Sequence, residues 1–213
     1  MLSTTLTRTA RSSRPQSLRL HLRGLSTLPQ NPQIYVHPHP LDPTKHILSH
    51  LPTSPPTPRL AIGTTTSLPV TPSSFTPNPA FLPLLSSVLA AHAPTDPAVA
   101  AQAAVFASPG GFNIAGSGSA SGAGGAGGAS VGGWIHVSDT RNPPDFGRIA
   151  WPEDILGSLE VDGKGKVVQG SWQDSGSYRV VTREGVLGLT AFVWGKVVER
   201  LRAEEAKGEE GKA

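Results

Sequence analysis

The stretch Trp134–Asp162, WIHVSDTRNPPDFGRIAWPEDILGSLEVD, decides the fold, because two strand-like runs and most of the chain's closely spaced opposite charges fall within it. Trp134, Ile135 and Val137 are apolar and favour extended backbone, and His136 and Ser138 alternate with Ile135 and Val137 at period two. That pattern predicts a strand with one buried face. Pro143 and Pro144 cannot donate to a ladder and hold the residue before each extended, so the strand ends near Ser138 and a stiff loop follows, with Gly147 free to take a positive φ. Pro152, Glu153 and Asp154, followed by Gly157, predict one short helical turn with proline at its first position and acids at its positive end. Ser158–Val161 then resumes a strand.

The loop carries Asp139, Arg141, Asp145 and Arg148 close to Glu153 and Asp154. One reading is a site for an anion or carboxylate, with Arg141 and Arg148 offering planar donor forks, Asp139 beside them and His136 on the adjoining strand. The other is that Asp139 with Arg141, or Arg148 with Glu153, pair with each other and pin a long connection to the sheet, which is the commoner fate of loop charges. His136 is equally open: a lone imidazole on a strand is more often a satisfied or surface side chain than a catalytic base.

Residues 1–25 contain Arg8, Arg11, Arg14, Arg19 and Arg23, many Ser and Thr and recurring Leu, and no acid precedes Asp42. A chain drawn inward by a membrane potential as a basic amphipathic helix needs this composition, so the segment reads as a mitochondrial presequence. Arg23–Ser26 resembles the junction cut by the matrix processing peptidase. Import and processing machinery are therefore the first expected partners, and the matrix the expected compartment. The whole chain is +3, but without these five arginines 13 basic residues face 15 acidic ones, a net charge of −2. The basic balance thus belongs to the leader, and nucleic-acid binding loses its compositional support. No cysteine is present, which excludes thiol catalysis, thiolate metal sites and disulfides. The longest apolar run, 81–93, is broken by Pro83 and His92 and is too short to span a bilayer.

Residues 26–58 are rich in proline and histidine and read as an extended segment ahead of the domain, with an optional edge strand at Gln33–Val36 and one or two helical turns at Thr44–Leu51. His37 with His39, and His46 with His50, have chelating spacings, but HExxH is not matched and Asp42 is the one nearby carboxylate, so surface histidines are the better reading. Arg59–Thr66 reads as a strand. Asn78 and Pro79 open a helix to about His92, and Asp96 and Pro97 open a second to about Ser108. Residues 116–133 are almost pure Gly, Ala and Ser and read as a disordered loop. Their GxGxxG match, Gly122, Gly124 and Gly127, follows a helix and precedes a strand, the reverse of a dinucleotide fingerprint, and no other cofactor motif is met. Asp162 and Gly163 turn a hairpin into Lys166–Gln169, Tyr178–Thr182 is a further strand, and a helix from about Leu189 carries Trp194 on an apolar face as a candidate partner anchor, fading into a charged tail over 204–213.

Leu60–Thr65, Trp134–Leu156 and Tyr178–Leu189 together resemble an uncharacterised family of mitochondrially targeted proteins of filamentous fungi, over about half the mature chain. The resemblance implies the address and assigns no activity. The expected architecture is one α+β domain over 59–203, with about five short strands in a mixed or antiparallel sheet, two inserted helices and a closing carboxy-terminal helix. The expected role is a non-catalytic matrix factor that binds another protein in assembly or maintenance; the alternative is a small cofactor-free enzyme or binding protein for an anionic metabolite.

Overall fold

The computed structural model describes residues 26–107, 132–145 and 148–210, so the segment 1–25 read as a presequence, most of the Gly/Ala/Ser-rich stretch and Gly147 lie outside the described residues. Its segment 26–58 is no preamble. Strands β1 (Ser26–Leu28), β2 (Asn31–Pro38) and β3 (His46–Ser49) join β4 (Gly63–Thr65) and β5 (Phe75–Pro77) in a five-stranded antiparallel sheet whose strand order follows the chain. The prolines of β2 sit at its second and last positions and leave Gln33–His37 free to pair, with Tyr35 opposite Ser49 and His37 opposite Ile47. At Thr44–Leu51 a strand replaces the expected helical turns. A helix that short is not self-supporting, whereas Ile47 and Leu48 as strand residues are fully buried on opposite faces.

Helices α1 (Phe81–His92) and α2 (Pro97–Ala107) follow β5. Asn78 does not cap α1 directly; its Oδ1 accepts from the Ala80 N–H, and its Nδ2 donates to the carbonyls of Pro58, Arg59 and Ala61 at 3.2, 3.0 and 2.7 Å. Asp96 caps α2, with Oδ1 accepting from the Ala98 N–H at 2.9 Å.

Strand β6 (Gly133–Ser138) has Ile135 and Val137 buried, in keeping with the period-two pattern, and pairs antiparallel with β7 (Ile155–Val161) through Ile135 opposite Leu159. A 3-10 turn at Pro152–Asp154 leads into β7, and β8 (Gln173–Asp174) adds to its other edge. The expected strand at Lys166–Gln169 is reduced to a single bridge between Val161 and Val167. The strand at Tyr178–Thr182 shrinks to β9 (Val181–Thr182), which pairs with β10 (Gly185–Val186).

Helix α3 (Ala191–Glu210) closes the chain, longer than its apolar face. The Thr190 hydroxyl accepts from the Val193 N–H at 3.2 Å and donates to Asp96 Oδ2 at 2.6 Å, so the start of α3 is tied to the start of α2. Val193, Val197 and Leu201 enter one continuous core with Phe81, Leu85 and Leu89 of α1, Ile34 and Leu48 of the large sheet, and Ile135 and Leu159 of the small one. Each such side chain contributes roughly 1.5–3 kcal/mol of burial. Beyond Leu201 the helix continues on ion pairs one turn apart, Arg200 with Glu204 and Lys207 with Glu204. The fold is α+β, as its sequence pattern implies, and all strand pairings among the described residues are antiparallel.

Candidate functional site

Immediately after β6 the chain places Asp139 in the interior, where Oδ1 accepts from the N–H groups of Arg141 and Gly188, both at 2.8 Å, and Oδ2 accepts from the Tyr178 hydroxyl at 2.7 Å. The Arg141 side chain is 3% exposed. Its Nε donates to Asp154 Oδ1 at 2.7 Å, Nη1 to the Val180 carbonyl at 2.9 Å, and Nη2 to the carbonyls of Glu153 and Arg179 at 3.0 and 2.8 Å. Asp139 Oδ2 stands 3.6 Å from Nη1, and the guanidinium carbon lies 5.5 Å from the Tyr178 ring centre. Every nitrogen of the fork is thus engaged by protein acceptors, and no face of it is offered to a ligand. Arg141 rivets three segments: the Pro loop, the turn before β7 and the approach to β9. Burial pushes the Asp139 carboxyl above its usual range, against the pull of Arg141 and its hydrogen bonds, and holds the Tyr178 hydroxyl well above the phenol range.

The other two loop candidates part from Arg141. His136 and Arg148 line one small cavity of about 100 Å³ with Val105, Phe106, Trp134 and Ile149. His136 Nδ1 lies 2.8 Å from Ser158 Oγ, and partial burial lowers its pKa by penalising the charged ring. A space of that volume holds about three waters, too few for a metabolite of ordinary size. The charges of the loop therefore do not converge on one anion.

The histidines of the first strands serve the sheet. His37 Nε2 is 3.1 Å from the Leu51 carbonyl, His50 Nδ1 is 3.0 Å from the Gln33 carbonyl, and His39 Nδ1 accepts from the N–H groups of Leu41 and Asp42. No group of three metal-ligating side chains occurs among the described residues. Trp194 is half-buried against the core, with its indole nitrogen enclosed, so it is a lid rather than a projecting anchor.

A larger groove lies elsewhere, between α1 and the β7–β8 edge, with a volume of about 530 Å³. Leu82, Leu85, Leu89, Leu156 and Tyr178 form its apolar walls, and Ser86 and Asp174 add a directly bonded polar pair to the lining. Asp174 accepts from Ser86 Oγ with both oxygens at 2.8 Å and from the Trp172 indole N–H at 3.0 Å. That indole lies on Gly157, where a Cβ would run into the ring and into the Gln173 carbonyl oxygen. Leu82 lines this groove and is 37% exposed. The available signal was the width of α1's apolar face, with Phe81, Leu82, Leu84, Leu85, Val88 and Leu89 covering more than one buried stripe. No helix among the described residues is long and apolar enough to cross a membrane. No family model, curated protein or solved structure matches this chain.

Proposed function

We propose that this chain is a mitochondrial matrix factor that works by holding another protein, with the groove between α1 and β8 as its docking surface. The groove carries the reading. Its volume suits two or three apolar side chains of a partner, its walls are preformed by a helix and a sheet edge, and its polar groups are few and fixed. The basic leader supports the compartment. An anion-binding role is less well supported, because Arg141 spends its donors internally.

A photo-crosslinking residue in place of Leu82, in protein expressed at native level in intact mitochondria, should give one discrete adduct. The same residue in place of Arg202, on the exposed side of α3, should give none. A chain recovered from the cytosol with its initiator methionine, or one that forms no adduct at Leu82, overturns the proposal.

A further inference from the structure

We infer that the α1–β8 groove selects a segment of another protein that presents leucine-type side chains with a lysine or arginine beside them. This rests on the groove being a docking surface and specifies what it accepts. Among the residues lining it, Asp174 alone carries a charge, since the Tyr178 hydroxyl stays protonated and is turned to Asp139. The carboxylate is held by neutral donors only, Ser86 and Trp172, and no cation stands within ion-pair distance of it among the described residues. Two donors from different elements fix its direction before a partner arrives, so a cation meets a preorganised acceptor. An acidic partner would meet uncompensated repulsion, and a wholly apolar one would cover the carboxylate without pairing it. The walls ask for apolar side chains, and the one carboxylate among them asks for a positive charge.

Three labelled synthetic helical peptides test this by fluorescence anisotropy against the full chain: one with two leucine pairs and two arginines, one with the arginines replaced by glutamates, and one with the leucines replaced by serines. The leucine–arginine peptide should bind, and the other two should bind at least tenfold more weakly. Asp174→Asn, which keeps both hydrogen-bonded neighbours, should weaken the first peptide about fivefold, the upper range for an exposed ion pair, and leave the glutamate peptide unaffected or improved. Leu82→Asp, at a partly exposed site that does not threaten folding, should abolish binding. Equal binding of the arginine and glutamate peptides, lost in Leu82→Asp, overturns the charge selection and leaves the docking surface standing. Binding of none, or binding indifferent to Leu82→Asp, removes the docking surface itself. Concentration-dependent self-association abolished by Leu82→Asp would give the groove to a second copy and also overturn the inference.

Discussion

The buried rivet at Arg141 shows how a single side chain can look like a ligand site in sequence and act as a fastener in space. Its removal leaves Asp139 and Asp154 buried without their cation, so Arg141→Met should lower stability by about 3–5 kcal/mol in urea unfolding. Arg141→Lys should recover little of this, because one ammonium cannot serve a carboxylate and three carbonyls in the plane of a fork. His50 makes a second prediction at the same scale. Burial lowers its pKa from 6.5 to about 4, with its Nδ1 on the Gln33 carbonyl and its ring 6.0 Å from that of Phe81. The unfolded chain takes up the proton near pH 6.5 and the folded one does not until about 4. Stability is therefore full above pH 6.5 and falls as pH drops towards 4, by about 3 kcal/mol from this residue. Asp139, raised by burial, works in the opposite sense, so the slope is best read as the difference between the native chain and His50→Asn. That variant should be less stable throughout but flatter between pH 6.5 and 4.

Among the elements, those with clear periods were legible. The alternation of Ile135 and Val137 located β6, the leucines of 81–89 located α1, and Asp96–Pro97 marked the start of α2. Strand β2 was legible in part, as the strand read at Gln33–Val36, but β3 was not, because its apolar residues are adjacent rather than alternating, as at Ile47–Leu48. A strand buried on both faces has no period-two signature to read. The segment 204–213 was read as a charged tail into which the helix fades, and up to Glu210 its acids and lysines fall one turn apart and continue the helix. The Arg141 knot was half visible: Asp139 and Arg141 were singled out, but Asp154 and Tyr178 join them only through tertiary packing. The paired caps of α2 and α3 also escape sequence, since Asp96 and Thr190 are far apart in the chain. Asp96→Ala should cost about 1–2 kcal/mol, and a double-mutant cycle with Thr190→Val should show coupling of about 1 kcal/mol; additive losses would deny the link.

For the molecule as a whole, the domain begins at the first strand and not at residue 59. Ile34, Ile47 and Leu48 are wholly buried, so a chain starting at Arg59 should lack a cooperative thermal transition and bind a hydrophobic dye, while the full chain melts in one step. The order of the five-stranded sheet adds a further consequence. Its strands are neighbours both in sequence and in space, so they can zip up as the amino-terminal portion emerges from a ribosome. Helix α3, whose Val193, Val197 and Leu201 complete the core, arrives only about a hundred residues later. During that interval an adhesive half-molecule waits for its cover, and such transiently bare apolar surface is what makes a folding chain prone to aggregate.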